Sequence, residues 1–473
     1  MVKDDFLSLT PLIIVAAMPV IMMLVIAIRR NFTVVFGLSL AGFILAFLSA
    51  YFVLPVIPHT VTPVLIFDGF SLLFTGMILL AGLLVTMLSY RYILYQESEK
   101  EEYFIMLFTG ILGSLLLAAS ASFVTFFLGL ETLSISLYVL IGYRRSREHS
   151  IEAAVKYLIL ASVSSAFLLF GMGLLYLDTG SLEFSGIAAA LQAPDFSTPM
   201  LLAGFAMMVV GIGFKLALVP FHMWTPDIYQ GAPVPVATFI ATISKGAVMA
   251  FLLRFFNEIQ GYSNPHFVLM ITFLALMSMF AGNLLAVRQQ NIKRILAYSS
   301  IANMGYLLVT LLTGSDEGMR ASVFYIISYL ITTLGTFGVI GILAGRESEF
   351  EEIGDYRGLF WKRPGIALVF TLALLSLAGI PITTGFVAKF YLVFTGIHSG
   401  LWLLVTGLIL NSVIGLYYYL RIITMLYSTE GNTEFPRLNM ADHLFLAVIA
   451  LGILWLGIFP ERLIQLIAYY TAL

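Results

Sequence analysis

Long apolar runs separated by a few polar residues repeat along the whole 473-residue chain. About 20 helical residues cross a bilayer core of about 30 Å, and fourteen runs are suited to this. They cover 10–28, 34–54, 70–90, 103–119, 122–142, 153–176, 200–222, 233–256, 266–286, 293–312, 321–345, 366–396, 401–420 and 441–459. The pattern predicts an all-α polytopic membrane protein with about 14 transmembrane helices, forming a single transmembrane domain over 1–473. The first run follows Lys3-Asp4-Asp5 and lacks a small-residue cleavage site, so we expect it to be retained.

Composition excludes several other classes of protein. Hydrophobic residues make up 60% of the chain and charged residues 11%, against about 25% charged in soluble domains. The 24 basic and 26 acidic residues give a net charge of -2, which does not favour nucleic acid as a partner. Cysteine is absent and the six histidines are scattered, so we predict no catalytic residue, metal site or bound cofactor in this chain.

The distribution of loop lysines and arginines predicts the orientation, because these residues resist translocation. When alternate loops are assigned to two sides, one side receives sixteen of them and the other four. The sixteen are Arg29, Arg30, Arg91, Lys100, Arg144, Arg145, Arg147, Arg288, Lys293, Arg294, Arg346, Arg357, Lys362, Arg363, Arg421 and Arg437; the four are Lys3, Arg254, Arg320 and Arg462. Both termini are therefore predicted to lie outside the cytoplasm.

Five ionisable residues fall inside apolar runs: Lys156, Lys215, Lys245, Lys389 and Glu131. Each costs about 2.5 to 3.5 kcal/mol at the centre of a membrane helix, so they must face one another, water or polar backbone. Desolvation disfavours a charged lysine and a nearby carboxylate favours it, which suits a Lys/Glu set to proton relay. Each also has a structural alternative. Lys156, near a helix start, could extend to the surface, and Glu131 could be a protonated packing residue or cap a kink. Lys215, Lys245 and Lys389 could each have a purely structural role.

The seventh predicted helix is expected to be discontinuous. Pro220 lacks an amide hydrogen and should free the carbonyl of Leu216 within the membrane. Lys215 lies beside this break. His222, just beyond the proline, is either an accessory relay residue or a hydrogen-bonded core imidazole.

The twelfth predicted helix carries a second break. Gly379, Pro381 and Gly385 interrupt it and should free the carbonyl of Leu377, again close to a lysine, Lys389. A single proline kink is common in membrane helices. Two interrupted helices at corresponding positions instead indicate inverted repeats with a site at mid-membrane.

The breaks define the predicted organisation of the domain. Three N-terminal helices (10–90) precede two inverted five-helix repeats (103–256 and 266–420), each with one discontinuous helix, and a last helix (441–459) follows. The repeats differ in charge, because the counterpart of Glu131 falls near Asn303, where no carboxylate occurs. The first repeat is predicted to hold an ion pair that can take up a proton, and the second to release the proton through a single lysine.

Four segments resemble a known family: LVPFHMWTPDIYQGAPVPVATFIATISK, NIKRILAYSSIANMGYLLV, DYRGLFWKRP and GLYYYLR. They are similar to the antiporter-like membrane subunits of respiratory NADH:quinone oxidoreductase (complex I), and the likeness covers essentially the whole chain. Subunit N is favoured over L and M, because ATIS before Lys245 has no histidine and only about a dozen residues follow the last helix.

The resemblance implies a role for each buried residue. Glu131 would pair with Lys215 and tune it, Lys245 would be the central relay, and Lys389 would pass protons to the outer side. Lys156 would be an accessory charge. Flavin, iron–sulfur clusters and quinone would be bound by partner subunits, and the partners would be other membrane subunits, the peripheral redox subunits joined through them, and lipids. The expected location is a bacterial inner membrane.

One position departs from the family, and other functions stay open. Asn303 stands where relatives often have histidine, and asparagine would have to act through water. A cation/proton antiporter subunit would share this architecture but needs a cluster of oxygen ligands for sodium. A non-conducting scaffold, or a related dehydrogenase with another electron donor, would fit the same helices.

Overall fold

The computed structural model describes residues 3–96, 100–145, 147–192, 199–344, 349–429, 435–436 and 438–472. Its α-helices are α1 Lys3–Ile28, α2 Phe32–Val53, α3 Gly69–Gln96, α4 Glu102–Ala118, α5 Phe123–Ile141, α6 Glu148–Thr179, α7 Phe184–Leu191, α8 Pro199–Leu216, α9 Trp224–Gly231, α10 Val234–Phe239, α11 Lys245–Glu258, α12 Pro265–Val287, α13 Ile292–Leu311, α14 Asp316–Leu343, α15 Leu359–Lys362, α16 Pro364–Ala378, α17 Thr384–His398, α18 Trp402–Leu426, α19 Met440–Ile458 and α20 Pro460–Ala472. Arg346 and Arg437, assigned above to the more basic side, lie outside the described residues.

Three shorter kinds of element complete the described chain. A π-helix, Ile240–Ser244, joins α10 to α11, and 3-10 turns cover Gly261–Ser263 and Ile353–Tyr356. Strands β1 His59–Val61 and β2 Leu65–Phe67 pair as an antiparallel hairpin, with Thr60 opposite Ile66.

The predicted all-α polytopic fold is confirmed, and the chain is a multi-pass membrane protein. Eleven helices in the described residues are long and apolar enough to cross a membrane. The other three predicted runs also coincide with helices: α4 is shorter, with 17 residues, α13 is rich in polar side chains, and the twelfth run is divided into α16 and α17.

Several helices begin earlier than their apolar runs, because helical hydrogen bonding continues past the part suited to lipid. Helix α14 begins at Asp316 rather than 321, after Ser315, whose hydroxyl accepts from the Gly318 amide at 3.1 Å. An N-cap of this kind satisfies a backbone donor that the helix leaves unpaired. Helix α6 likewise begins at Glu148, so Lys156 lies about two turns into it.

Close helix pairs are formed through glycines. At Gly113 of α4, an added Cβ would lie 2.6 Å from the carbonyl oxygen of Gly129 in α5, and at Gly282 of α12 it would lie 2.7 Å from the Ala302 amide in α13. Small residues let membrane helices approach this closely. The first two helices of each predicted repeat therefore form a close pair through a glycine; the repeat organisation and the inverted relation stay predictions.

The centre of the bundle is formed by helices that have almost no exposed surface. The segment Val234–Glu258, which contains the π-helix, is buried through its most apolar stretch. In α13 every residue except Arg294 is buried. A helix shielded from lipid on all sides can carry polar residues, and α13 places its serines, asparagine and tyrosines inside the protein.

Candidate functional site

The first break separates α8 from α9. Helix α8 ends at Leu216, four residues before Pro220, and α9 begins at Trp224. The Trp224 indole nitrogen donates to the carbonyl of Phe214 at 2.9 Å. The sequence predicted that the Leu216 carbonyl would be released here. The carbonyl that accepts from a side chain is that of Phe214 instead, because the chain leaves the helix directly after Leu216.

Lys215 occupies the last turn of α8 and is buried. Its ammonium donates to the Ser134 hydroxyl at 2.7 Å and lies 5.6 Å from the centre of the Tyr157 ring. Glu131, three residues before Ser134, accepts a hydrogen bond from Ser165 at 2.6 Å. Lys215 and Glu131, both among the described residues, interact electrostatically but have no nitrogen–oxygen contact within 4.0 Å. The direct ion pair implied by the family resemblance is therefore not formed in this structure. Each partner instead forms a hydrogen bond with a serine.

Lys245 follows the π-helix and is 1% exposed. Its ammonium donates to the Ser300 hydroxyl of α13 at 2.7 Å. Ser300 also accepts from the Tyr329 hydroxyl at 2.7 Å and lies 3.4 Å from that of Tyr229. One serine thus joins the central lysine to two buried tyrosines, and sequence reasoning singled out none of the three.

A second group of polar side chains lies beside Ser300. The Asn303 amide donates to the Ser299 carbonyl at 2.8 Å, and its oxygen accepts from the Tyr325 hydroxyl at 2.5 Å. The hydroxyls of Ser299 and Tyr419 share a short hydrogen bond. Asn303 therefore contacts groups of α13 and α14, and its accessory role stays a prediction. Their spacing, with Ser299, Asn303 and Tyr306 on one helical face, is the sequence signal that could have indicated them.

The polar groups continue towards α17 through Asn283 of α12. Its oxygen accepts from the Tyr418 hydroxyl at 3.0 Å, and its amide donates to the Tyr306 hydroxyl at 3.0 Å. The Lys389 ammonium lies 5.3 Å from the centre of the Tyr306 ring. Hydroxyls and amides of α12, α13, α14 and α18 thus occupy the space between Lys245 and Lys389.

The Lys389 ammonium contacts backbone carbonyls at the second helix break. Helix α16 ends at Ala378, and Gly379 follows with φ of 84°. The ammonium donates to the carbonyls of Leu377 at 2.8 Å and Ala378 at 3.1 Å. The Leu377 carbonyl is the one that Pro381 was predicted to release. A cation at the carboxyl end of a helix is also favoured by the helix dipole.

Three membrane lysines share an unusual environment. Lys215, Lys245 and Lys389 donate to hydroxyls or carbonyls, and none of these three described residues has a carboxylate within 4.0 Å. The contrast is Lys293, fully buried, which contacts the equally buried Glu349 at 2.5 Å. An ammonium removed from water without a counter-charge is strongly disfavoured, and in this respect the buried Lys215 and Lys245 differ from Lys293.

The two remaining predicted residues lie apart from this network. Lys156 is 45% exposed and forms ion pairs with Glu152 at 2.7 Å and Asp227 at 3.2 Å. His222 is 7% exposed, and neither ring nitrogen has a hydrogen-bond partner among the described residues. Lys156 thus takes the surface position weighed above, and for His222 both interpretations, accessory relay residue and core imidazole, stay predictions.

Known proteins resemble this chain over most of its length. The family model described as NADH:quinone oxidoreductase/Mrp antiporter, TM, matches residues 120–415. A chain of respiratory complex I from Thermus thermophilus, solved with bound aureothin, is 32% identical with a TM-score of 0.84, covering 96% of this chain and 98% of that one. A chain of the archaeal membrane-bound sulfane sulfur reductase is 24% identical with a TM-score of 0.85, covering 98% and 96%. A chain of the Mrp complex from Dietzia sp. is 20% identical with a TM-score of 0.88, covering 100% and 97%. The last two likenesses concern the fold alone.

Proposed function

The chain belongs to the family of membrane subunits shared by NADH:quinone oxidoreductases and Mrp antiporters, and we propose that it is a proton-translocating subunit of a respiratory NADH:quinone oxidoreductase (complex I), in the place of subunit N. One observation carries the proposal: among the described residues, the buried Lys215 and Lys245 and the partly buried Lys389 have no carboxylate within 4.0 Å. Hydroxyls and amides form hydrogen bonds across the bundle between Lys245 and Lys389. The 32% identity to a complex I chain over nearly the full length of both supports this choice of complex.

The first step of the proposed relay is a change of partner at Lys215. Ser134 and Glu131 are three residues apart on α5, so they lie on neighbouring positions of one helical face. Movement of the ammonium from Ser134 to Glu131 would form an ion pair and favour the charged lysine; the reverse movement would favour release of the proton towards Lys245.

The second step carries the proton from Lys245 towards Lys389. Serine and tyrosine hydroxyls both accept and donate hydrogen bonds, so Ser300 and Tyr329 can pass a proton by exchanging those roles. Water between these groups would complete the route, since asparagine cannot take up a proton near neutral pH. The carbonyls of Leu377 and Ala378 would receive the charged Lys389 before the proton leaves to the outer side.

The energy for this movement would come from partner subunits. Flavin, iron–sulfur clusters and quinone would be bound there, in peripheral redox subunits joined to this chain through other membrane subunits. We place the complex in a bacterial inner membrane with both termini of this chain on the periplasmic side. Moving one proton against about 100 mV requires about 2.3 kcal/mol.

A second candidate is a subunit of an Mrp-type cation/proton antiporter, because the matching family includes both kinds of protein. Sodium would need several oxygen ligands, and Glu131 is the one acid that the sequence places deep in an apolar run. Mass spectrometry of the native complex separates the candidates: partner subunits with flavin and iron–sulfur clusters support complex I. A complex without redox subunits, which drives proton flux from a sodium gradient in proteoliposomes, supports the antiporter.

The relay is tested in the reconstituted complex with Lys215→Ala and Glu131→Ala. We expect both variants to assemble and to lose or uncouple pumping, measured as protons moved per electron transferred to quinone. Lys3→Ala, which removes an exposed lysine at the start of α1, is the control. Normal proton-to-electron ratios in both variants would refute the assigned roles. Reduced yield of a complex with normal ratios would support a non-conducting scaffold.

A further inference from the structure

A cavity of about 580 Å³ opens between the amino-terminal ends of α16 and α19, away from the relay. Its lining includes three basic or imidazole side chains and three aliphatic ones that carry the argument: Lys362, Arg363, His443, Ile366, Val369 and Leu446. A volume of this size is typical of sites that bind small molecules. None of these six residues contributes to the lysine network described above.

The two kinds of side chain lie at different depths. Arg363 immediately precedes α16 and Val369 lies six residues further on, a rise of about 9 Å along a helix. On α19, His443 precedes Leu446 by one turn. The basic and imidazole groups therefore form the rim at the helix ends, and the aliphatic groups form a wall that extends into the apolar part of the bundle.

A tryptophan indicates that this rim lies at the membrane surface. Trp361, next to Lys362, is 63% exposed, and its indole nitrogen donates to the Tyr427 carbonyl at 3.2 Å. Tryptophans are enriched at the level of the lipid headgroups. The predicted orientation assigns Lys362 and Arg363 to the cytoplasmic side, where anionic lipids attract basic residues.

The acid on α19 beside the rim is occupied by other groups. Asp442, adjacent to His443, is buried and accepts hydrogen bonds from the Arg91 guanidinium at 3.1 Å and from the backbone N–H of Asn439 at 2.9 Å. Arg363 donates to the Phe435 carbonyl through a long contact of 3.4 Å, which uses one of the five N–H groups of its guanidinium.

We propose that this cavity binds one anionic phospholipid. Its phosphate lies against Lys362, Arg363 and His443, and the start of an acyl chain lies along Ile366, Val369 and Leu446. The match of charge at the rim and of apolar surface below it specifies the occupant: a soluble phosphate compound would leave the aliphatic wall exposed, and a zwitterionic lipid would bring a positive choline group to a basic rim.

The test uses the whole detergent-purified complex and a thiol placed in the cavity. The chain contains no cysteine, and a Cβ added at Gly365, which lines the cavity, meets nothing within 4 Å. In Gly365→Cys, the rate of maleimide labelling is measured by mass spectrometry of the peptide from this chain, after delipidation and addition of phosphatidylglycerol. The probes for comparison are phosphatidylcholine with the same acyl chains and free glycerol 3-phosphate.

We expect phosphatidylglycerol to protect the thiol and the other two probes to leave it reactive. Adding Lys362→Gln and Arg363→Gln should raise the phosphatidylglycerol concentration for half protection about 30-fold, the effect of two basic residues near an anionic membrane surface. The matched control, Arg29→Gln with Arg288→Gln, removes two exposed charges predicted on the same side of the membrane. It should leave the phosphatidylglycerol concentration for half protection unchanged.

Three results would overturn the proposal. Equal protection by phosphatidylcholine would remove the charge selectivity, and equal protection by glycerol 3-phosphate would identify a site for a soluble phosphate. A thiol that stays protected after delipidation, and that a bifunctional reagent links to a neighbouring subunit, would show that the cavity is a protein interface. Val369→Trp, which fills the apolar wall and keeps the charges, should also weaken protection; unchanged protection would contradict the assigned path of the acyl chain.

Discussion

Replacing Gly385 with alanine is expected to disrupt the break between α16 and α17 and to slow proton transfer at Lys389. An added Cβ would lie 1.8 Å from the carbonyl oxygen of Ser376 and 2.6 Å from its carbonyl carbon. Both are backbone atoms, so no side-chain rotation can relieve the contact. The amide of Gly385 also donates to the Ser376 hydroxyl at 3.0 Å, which holds the two helices at this separation.

The displacement can be worked from these distances. Ordinary Cβ contacts begin at 3.4 Å, so the two backbones must separate by about 1.6 Å. Lys389 is one turn beyond Gly385 and moves with it, which takes its contacts with Leu377 and Ala378, now 2.8 and 3.1 Å, past hydrogen-bonding distance. Each hydrogen bond to a charged group contributes about 1.5 to 3 kcal/mol, and a misplacement of this order slows a positioned transfer by about 100-fold.

The assay is proton pumping by the reconstituted complex, measured together with electron transfer to quinone. Gly385→Ala should lower the number of protons per electron while the complex still assembles. Gly173→Ala is the matched control, because Gly173 also lies in a membrane helix and a Cβ added there meets nothing within 4 Å. A pumping ratio equal to that of the control would show that the geometry of the second break does not govern proton transfer.

Three further predictions test other parts of the structure. Ser300→Ala removes the hydroxyl to which Lys245 donates, so the number of protons pumped per electron should fall; an unchanged proton-to-electron ratio would exclude Ser300 from the route. Lys156→Gln should leave that ratio unchanged, since the lysine is exposed, and a large loss of pumping would contradict this surface role. Glu349→Gln should lower the free energy of unfolding in detergent by about 3 to 5 kcal/mol, because it leaves the buried Lys293 unpaired. Burial raises the pKa of Glu349, but the Lys293 charge offsets this and leaves the pKa below its usual value. The pair should therefore stabilise the protein fully above the pKa that Glu349 has in the unfolded chain, and less as the pH falls through its folded-state pKa. Melting temperatures measured against pH would check this.

The helix breaks were predictable because backbone chemistry fixes them locally. A proline cannot donate an amide hydrogen, and a glycine readily adopts the left-handed backbone conformation. The release of the Leu377 carbonyl was predicted from Gly379, Pro381 and Gly385, and in the structure the Lys389 ammonium donates to that carbonyl. The first break was located equally well, but its capping donor, the Trp224 indole, belongs to a residue beyond the break and carries no local signal.

The polar network was not predictable in the same way. Ser300 and Tyr329 lie on different helices, and a single sequence does not state which helices touch. The same limit explains the open Glu131–Lys215 pair: the family resemblance implied a direct contact, whereas the side chains are held by Ser165 and Ser134. Tertiary arrangement decides which of two nearby partners a lysine takes, and residue types cannot.

In the proposed relay, the distribution of charge indicates where energy would enter. The ammonium groups of Lys245 and Lys389 contact neutral oxygens, so no ion pair with a carboxylate among their contacts can be opened or closed there. Glu131 differs, because an ion pair with Lys215 at 4 Å is worth about 4 kcal/mol at an effective dielectric constant of 20, and half of that at twice the distance. The difference, about 2 kcal/mol, is close to the load of one proton against about 100 mV. In the proposed relay, closing and opening this one pair would therefore supply most of the energy for one proton, and the lysines further along would pass it on.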